Sequence, residues 1–337
     1  MLPEGYTARP ATLEDAAGVA ALIASNQLAD FGSVHVSEAE VRADWAGADL
    51  AADSIVIELA GEIAAAADLI DRPGLVSVYG YVHPDQAGRG LGSYLAAWGE
   101  RRAATHAGPT VVRHHVLSTN RPAVSLFTDR GYQTHRSVLW MERDLDSGVP
   151  GSASPDTAAV DGGLPAGLTL RTYRGDADEP AVHTAFEAAS RDMNGRAPNT
   201  LQQWLDVART KDKDLFFVVE HREGHASNPQ IVGILIASLQ EATAPPSQAA
   251  AAGDVTGAVA PPLGHVDSLR VVREWRRRGI GAELLATAFR ALAERGAARV
   301  GLSVDAASPT GAPSLYLAAG MHETRRYLVM ELTVGGS

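Results

Sequence analysis

The sequence contains no cysteine among its 337 residues. This absence excludes disulfide bonds, thiolate nucleophiles and cysteine metal sites, and it fits a reducing compartment. Apolar runs are also short, because none approaches the roughly 18 residues needed to span a bilayer. The first residues lack the basic and apolar regions of a secretory signal. We therefore expect a cytoplasmic protein that does not enter a membrane.

Positive charge is in deficit, with 29 Lys and Arg residues against 40 Asp and Glu residues and a net charge of −11. A general nucleic-acid binder needs a basic surface, so the balance argues against that class of protein. It favours a cationic partner or substrate. Apolar residues make up 45% of the chain, which is ample for a hydrophobic core. At roughly 150 residues per domain, the length suggests two domains.

Two segments are rich in Gly, Pro, Ser and Ala and lack large aromatic residues. Such segments cannot bury enough apolar surface to offset the entropy lost on ordering them. We interpret residues 146–167 as a linker between an N-terminal domain, residues 1–145, and a C-terminal domain, residues 168–337. The other segment, residues 241–262, lies inside the second half, and a surface loop is predicted there.

The two halves resemble each other at a constant offset. GRGLG at residues 88–92 matches RRGIG at 277–281, and SLFTDRGY at 125–132 matches SLYLAAGM at 314–321. Met141 and Glu142 match Met330 and Glu331. Each pair is separated by 189 residues, as Gly279 is from Gly90. Three separate matches at one offset indicate an internal duplication.

Each half is predicted to be a mixed α and β domain. Capping-box spacing predicts helix starts at Thr12, Ser37 and Thr200. Helices are also predicted at residues 91–104 and 280–295, each directly after a glycine motif. Strands are predicted from β-branched and apolar runs at residues 54–59, 64–70, 76–82, 110–117 and 138–145, and at 215–220, 231–239, 265–272, 299–304 and 326–334.

The repeated glycine motif, lying between a strand and a helix, favours phosphate binding. Glycine lets the backbone approach a ligand closely and adopt positive φ. The helix amides and dipole favour an anion, and Arg276, Arg277 and Arg278 add positive charge around the turn. The pattern is neither a P-loop nor a dinucleotide-binding fingerprint. A tight turn without a ligand is the alternative, but the repeated, Arg-bearing motif favours a pyrophosphate.

Residues 269–281, LRVVREWRRRGIG, resemble the acyl-CoA-binding motif of the GNAT superfamily of N-acetyltransferases. Arg276, Gly279 and Gly281 supply its Arg/Gln-x-x-Gly-x-Gly/Ala pattern. SLYLAAGM resembles the C-terminal motif of the same superfamily. The resemblance extends to both halves, in a tandem layout similar to that of the mycothiol synthase family.

The resemblance implies an α/β (mixed α+β) fold of two tandem GNAT-like domains, each a mixed, splayed β-sheet flanked by helices. It implies that acetyl-CoA, or another acyl-CoA, is the co-substrate and lies between two diverging strands. No metal is expected, since ligand spacings such as H-E-x-x-H do not occur. The implied cofactor-binding residues are Leu269, Arg270, Val271, Arg276, Arg277, Arg278, Gly279, Ile280 and Gly281, with Val82, Gly88, Arg89, Gly90 and Gly92 in the first copy.

The resemblance also implies a proton donor for the departing thiolate, a role that a Tyr after Leu fills in many GNAT proteins. Tyr316 occupies that position, and a phenol with a pKa near ~10 can donate to a thiolate. The alternative is an aromatic core residue on an amphipathic helix. The first copy has Phe127 there, which keeps the packing and has no proton to give.

Many GNAT enzymes carry a carboxylate base eleven residues before the motif's first position, where this chain has His265. Imidazole, with an ordinary pKa near ~6.5, suits proton abstraction at neutral pH. Strand alternation places Asp267 on the same face, where it can orient the imidazole or act through water. A solvated histidine at a strand end is an equally weighted alternative, and Glu241 is a weaker alternative base. The first copy has Val76 at this position.

We therefore expect an N-acyltransferase that moves an acetyl group from acetyl-CoA to a primary amine of a small molecule. The second copy is expected to do the chemistry, because the first has Ala87, Phe127 and Val76 where the second has Arg276, Tyr316 and His265. Without cysteine, no cysteine acyl-enzyme can form, and we expect the acetyl group to pass directly from CoA to the amine.

Two alternatives remain: a non-catalytic acyl-CoA-binding regulatory protein, and an enzyme that acts on protein lysines or N-termini. A monomer or a homodimer is expected. The loop residues Asp192, Asn194 and Arg196 are interpreted as solvated, although that loop often borders the acceptor site in this superfamily.

Overall fold

The computed structural model describes residues 1–32, 34, 36–145, 163–192, 198–222, 229–240 and 262–335. Contacts among these residues define two compact units. Unit 1 contains the described residues within 1–138 and 325–335, and unit 2 contains those within 139–240 and 262–324. Most of the predicted linker, Asn194, Arg196, Glu241 and nearly all of the predicted loop lie outside the described residues.

Unit 1 is a six-stranded, mostly antiparallel sheet with helices on both faces. Its strand order is β1-β2-β3-β4-β5-β12, and the β4–β5 pair is parallel. The strands are β1 (Tyr6–Arg9), β2 (Ser54–Leu59), β3 (Glu62–Arg72), β4 (Leu75–Val82), β5 (Thr110–Leu117) and most of β12 (His322–Val334). The helices are α1 (Ala16–Phe31), α2 (Glu38–Asp44), α3 (Leu50–Asp53), α4 (Leu91–Ala103) and α5 (Arg121–Asp129).

Unit 2 repeats this arrangement with the strand order β7-β8-β9-β10-β11-β6. The β10–β11 pair is parallel, like its counterpart in unit 1. The strands are β7 (Leu168–Thr172), β8 (Phe216–His221), β9 (Gln230–Gln240), β10 (Leu263–Val271), β11 (Arg299–Asp305) and the second half of β6 (Gln133–Asp144). The helices are α6 (Glu179–Ser190), α7 (Leu201–Ala208), α8 (Ile280–Glu294) and α9 (Ala312–Ala318).

The second half of β6 and most of β12, the last strands of the two sequence halves, belong to the unit formed mainly by the other half. In unit 1, Tyr327 to Val334 of β12 pair antiparallel with β5. In unit 2, Leu139 and Met141 of β6 are buried in the core. The compact units therefore differ from the predicted ranges 1–145 and 168–337 by an exchange of terminal strands.

Local sequence signals account for several helix starts. The predicted capping boxes at Ser37 and Thr200 have side chain and backbone bonded reciprocally. At Thr12 the Asp15 carboxylate accepts from both the backbone amide and the hydroxyl of Thr12. The box at Thr12 begins a short 3₁₀ turn that leads into α1 rather than an α-helix directly. Each box satisfies amides that the first helical turn cannot pair internally.

The packing of α8 positions the glycine motif of unit 2. A Cβ at Gly233 on β9 would lie 2.7 Å from Cγ2 of Ile280, so only glycine lets the first turn of α8 approach the sheet this closely. Full burial of a leucine contributes about 2 kcal/mol, which fixes the helix on the sheet. The buried residues of α8 recur at helical spacing along one face: Ile280, Leu284, Leu285, Ala288, Phe289 and Leu292.

Within the described part of the chain, no helix combines the length and apolar character required to cross a membrane.

Candidate active site

The glycine turn of unit 2, residues 276–281, joins β10 to α8. Gly279 is the N-cap of α8 with φ 79°, and Arg277 also has a positive φ of 62°. The first amides of a helix have no carbonyl partner within that helix and carry the positive end of its dipole. A Cβ at Gly279 would meet nothing within 4 Å, so the turn is open on this side. The backbone here is suited to an anion, as expected from the motif.

The side chain of Arg276 stabilises the turn from inside the protein. Its guanidinium donates to the Asp192 carboxylate at 2.5 Å and to the carbonyls of Val271 and Ala189 at 3.0 and 3.1 Å. The hydrogen bond from Arg276 lowers the pKa of Asp192 below its usual range. Asp192 is therefore bound to this turn through Arg276 while its side chain stays 25% exposed, and the interpretation of a solvated loop residue did not include this ion pair.

The two remaining arginines of the motif differ in their surroundings. Both are exposed, but the Arg278 guanidinium lies over the Trp275 ring, 4.7 Å from its centroid. Beside the turn is a pocket of about 340 Å³ that contains both charges of the Asp192–Arg276 pair. It is lined by Asp192, Arg273, Arg276, Ala307 and Pro309.

An apolar wall stands next to the glycine turn. A Cβ at Gly281 would lie 3.0 Å from Leu315 and about 4 Å from Val271 and Leu269. Arg270, between these two strand residues, faces the other side of the sheet, where its guanidinium lies 5.4 Å from the Phe186 ring centroid. The structure thus brings Leu269, Val271 and Gly281 together and separates the side chain of Arg270 from them.

Strand β10 separates from β11 at a β-bulge. Its parallel pairing with β11 ends at His265 opposite Gly301, and its register with β9 shifts by one residue between Val266 and Ser268. In unit 1 the equivalent parallel pairing continues to Val78 opposite His114, two residues further. Bulges redirect side chains and end strand pairing, and they are frequent beside active sites. The bulge therefore opens the strands of unit 2 next to His265.

His265 and Asp267 form a hydrogen-bonded pair on β10. Nδ1 of His265 lies 2.7 Å from Oδ1 of Asp267, which also accepts from the Ser238 hydroxyl at 2.8 Å. The other carboxylate oxygen, Oδ2, accepts from the Lys211 ammonium at 2.9 Å. Burial acts to raise the pKa of Asp267, but these three hydrogen bonds outweigh it and hold the pKa at about 2. An ionised carboxylate beside Nδ1 favours the tautomer that carries its proton there, so Nε2 is the nitrogen that can accept a proton.

Tyr316 is buried on α9, next to Leu315 of the apolar wall. Burial raises the pKa of its hydroxyl, while the positive charge of Arg270 partly opposes the increase. A raised pKa keeps the hydroxyl protonated at neutral pH. Tyr316 is also part of the core, as the alternative sequence interpretation proposed, so one residue combines core packing with a retained proton.

The corresponding positions of unit 1 hold apolar side chains in a packed core. Val76 is fully buried on β4, and Phe127 lies 4.1 Å from the His114 ring. Burial lowers the pKa of His114 to about 3, so this imidazole stays neutral. The glycine turn is preserved, with φ values of 75° at Gly88 and 84° at Gly90. Unit 1 therefore keeps the backbone of the site without its titratable side chains.

The sequence analysis did not identify four features that contribute to the site: Trp140, Lys211, Ser238 and the bulge at Asp267. Trp140 on β6 stacks on the His265 ring. A comparison of the copies would have marked Trp140, because its counterpart at the 189-residue offset is Val329. Lys211 and Ser238 lie in other elements, and no local pattern connects them to Asp267. Among the described residues, no group of three or more His, Asp or Glu side chains is arranged to hold a metal ion.

The sequence model of the acetyltransferase (GNAT) family matches residues 21–132 and 180–321, which together exceed half of the chain. The chain belongs to this family. The match occurs twice, so the resemblance drawn from the glycine motif is confirmed. The family uses acetyl-CoA.

Among relatives of this GNAT protein, a mycothiol acetyltransferase of Frankia casuarinae is 30% identical over 230 residues. The matched part covers 66% of this chain and 59% of that relative, which is less than two thirds of its length.

Solved structures confirm the fold class. A GCN5-related N-acetyltransferase from Sphaerobacter thermophilus is 33% identical, with a TM-score of 0.77 and coverage of 100% of this chain and 98% of that one. A tandem GNAT protein from the clavulanic acid biosynthesis pathway is 16% identical, with a TM-score of 0.68 and coverage of 98% and 99%. At this identity, the second likeness concerns the fold alone.

Proposed function

We propose that this protein is an N-acetyltransferase that transfers an acetyl group directly from acetyl-CoA to a primary amine of a small molecule, with the chemistry in unit 2. The observation that carries the proposal is the His265–Asp267 pair, which lies where bulged β10 separates from β11. Unit 1 has Val76 and Val78 at the corresponding positions on an unbulged strand, and this supports the assignment of chemistry to unit 2.

His265 acts as the general base in this proposal. The Asp267 carboxylate accepts the Nδ1 proton and holds the imidazole in the tautomer that leaves Nε2 able to accept a proton. An ammonium group that loses its proton to Nε2 becomes a nucleophilic amine. Asp267 remains ionised because its pKa is about 2, and it stabilises the imidazolium that forms.

The glycine turn and its apolar wall fit acetyl-CoA. The open amides at the start of α8 suit a pyrophosphate, and Leu269, Val271 and Leu315 present apolar surface beside them. Acetyl-CoA supplies the acetyl group as an activated thioester. The Tyr316 hydroxyl keeps its proton at neutral pH and donates it to the departing thiolate sulfur, and the second proton that the amine nitrogen loses as the amide forms restores the phenol. Arg276 acts by bracing the turn, and Arg277 provides an exposed positive charge.

The acceptor is proposed to be a small amine of the class that mycothiol acetyltransferases use. The net charge of −11 is compatible with a cationic acceptor. The similarity to a named mycothiol acetyltransferase supports a mycothiol-related amine as the acceptor. The cytoplasmic location and the monomeric or homodimeric state remain predictions.

The test is thiol release from acetyl-CoA by the full-length protein with a panel of amines. The panel contains a mycothiol precursor amine, other amino sugars, polyamines, lysine peptides and peptides with free N-termini. We expect release with at least one small amine, and a decrease in kcat of about 10²-fold or more in His265→Gln and about 10-fold or more in Tyr316→Phe. Val76→Ala in unit 1 is the matched control, and its kcat should stay within about twofold of the parent.

The alternatives predict different results. Clear acetyl-CoA binding without thiol release for any amine supports a non-catalytic acyl-CoA-binding protein. Release with peptides alone supports a protein acetyltransferase. Unchanged turnover in both His265→Gln and Tyr316→Phe contradicts the assignment of the chemistry to unit 2.

A further inference from the structure

The Trp140 side chain covers one face of the His265 imidazole. The two rings are nearly parallel, with 5.4 Å between their centroids and 19° between their planes. Trp140 lies on β6, which comes from the first half of the sequence, whereas His265 lies on β10 in the second half. Both residues belong to unit 2. The exchanged strand thus places an aromatic ring directly against the proposed general base.

Two neighbours hold Trp140 in this position. A Cβ at Gly301 would lie 2.9 Å from the indole, so glycine on β11 makes room for the ring. Gly301 is also the residue opposite His265 in the parallel pair. The indole nitrogen donates to the buried carboxylate of Glu142 at 2.5 Å, and Arg299 lies 3.5 Å from the same carboxylate. The indole is therefore fixed both by the available space and by a charge-assisted hydrogen bond.

The two copies differ at all three positions together. Unit 2 has His265, Gly301 and Trp140, and the residues at the 189-residue offset are Val76, Val112 and Val329. All three valines are fully buried in unit 1. Where the imidazole is absent, both the stacking tryptophan and the glycine that accommodates it are absent as well. This joint difference connects Trp140 with His265 rather than with the fold that both units share.

We propose that Trp140 is a positioning residue that holds the His265 imidazole in the orientation required for proton abstraction. The inference rests on the proposed function, because it assigns His265 as the general base. Asp267 fixes the imidazole by its Nδ1 edge, and that contact alone leaves the ring free to tilt about the hydrogen bond. Contact between the ring faces prevents the tilt, so edge and face together define the direction of Nε2. A displacement of about 1 Å at a reacting group can reduce a rate by roughly 10²-fold.

The test compares Trp140→Ala, Trp140→Phe and Gly301→Val in the full-length protein. Trp140→Ala should lower kcat by about 10-fold to 100-fold and leave the KM for acetyl-CoA within twofold, because the glycine turn is unchanged. Trp140→Phe keeps an aromatic face and should retain kcat within about threefold. Gly301→Val fills the space of the indole and should lower kcat as Trp140→Ala does. The double variant Trp140→Ala/Gly301→Val should lose no more kcat than either single variant, since both substitutions remove the same contact between the indole and His265.

A second measurement follows the His265 ring without turnover. The proton resonances of the His265 imidazole should carry an upfield ring-current shift that Trp140→Ala abolishes and Trp140→Phe partly retains. Val329→Ala, at the equivalent buried position in unit 1, is the matched control for general destabilisation. It should lower the melting temperature and leave both kcat and the His265 resonances unchanged.

The outcomes separate this inference from the proposed function. Unchanged His265 resonances in Trp140→Ala overturn the positioning role whether or not an acceptor is known. Shifted resonances with an unchanged kcat also overturn it, as does an equal loss of kcat in Val329→Ala. If His265→Gln keeps full turnover, the proposed function of His265 fails, and the positioning role fails with it. Shifted resonances together with the loss of kcat and its recovery in Trp140→Phe support the positioning role.

Discussion

Asp267 occupies the bulge of β10, where its carboxylate receives hydrogen bonds from three side chains on different segments. Strand alternation correctly predicted that Asp267 would lie on the same face as His265. Lys211 and Ser238 were not predictable, because they lie 56 and 29 residues before Asp267 and meet it only through tertiary packing. At the scale of single residues, a sequence pattern indicates which face a side chain occupies, and its partners depend on the rest of the fold.

The ionisation of Asp267 predicts a pH-dependent contribution to stability. Its pKa falls from an ordinary value of 3.8 to about 2 in the folded protein. The stabilisation is therefore fully present above about pH 4 and is lost as the pH falls through about 2. Asp267→Asn should lower the free energy of unfolding by about 1–3 kcal/mol at pH 7, and the difference should shrink towards pH 2. Denaturant unfolding across this pH range measures it.

The control for this prediction is Asp214→Asn, whose carboxylate pairs with Arg295 at 3.3 Å and is 80% exposed. An exposed ion pair contributes little, so this variant should stay within about 0.5 kcal/mol of the parent at every pH. If the free energy of unfolding of Asp267→Asn stayed below that of the parent by the same amount from pH 7 to pH 2, the role of the charge of Asp267 would be contradicted.

Among the structural elements, the glycine turn combines a feature that stabilises it with one that strains it. Arg276 braces the turn through Val271, Ala189 and Asp192. Arg277 adopts a left-handed conformation that costs a non-glycine residue about 1–2 kcal/mol, and unit 1 has Gly88 at this position. Glycine at this position would carry no strain, so the strain at Arg277 indicates that its side chain contributes to function. Here that contribution is a positive charge beside the anion site.

Arg277→Gly tests that use. The free energy of unfolding of the variant should stay within about 1 kcal/mol of the parent, because the relief of backbone strain offsets the extra conformational entropy that glycine loses on folding. The KM for acetyl-CoA should rise roughly twofold to fivefold, the range for one exposed charge, and the effect should shrink at high salt. Arg277→Ala should raise KM equally and be less stable than Arg277→Gly. Arg290→Ala removes an exposed charge elsewhere on α8, and an equal rise in KM there would refute a local role.

The helices and strands were predictable where the signal is local. Strands β2 and β5 have the predicted bounds, and the predicted start of α8 at Ile280 is confirmed. Strand β6 begins five residues earlier than predicted, at Gln133 instead of Val138. Its first residues are polar and exposed, so hydrophobic patterning does not mark them as a strand.

For the whole molecule, the duplication was visible in the sequence and the exchange of terminal strands was not. The two terminal strands share the same Met-Glu pair, at Met141 and Met330, so their patterns are interchangeable. The choice of sheet is made by long-range contacts. Met141 is buried in the core of unit 2, and Met330 is buried in the core of unit 1.

The exchange predicts that neither sequence half is self-sufficient. Residues 1–145 lack the strand that completes unit 1, and residues 163–337 lack β6, which supplies Leu139, Trp140 and Met141 to unit 2. Expressed as two separate polypeptides in one cell, the halves should copurify as a one-to-one complex and retain the thiol-release activity of the intact chain. Each half alone should be poorly soluble, because it exposes an unpaired strand and an uncovered apolar face.

Size-exclusion chromatography and denaturant unfolding measure this association. The matched control shortens the first polypeptide to residues 1–132, which removes β6 while leaving the other strands of unit 1 intact. Because β6 is the part of the first half that enters unit 2, this shortened polypeptide should fail to rescue the solubility and the activity of the second. Two stable halves that elute separately, with an active second half, would contradict the exchange and the contribution of Trp140 to the site.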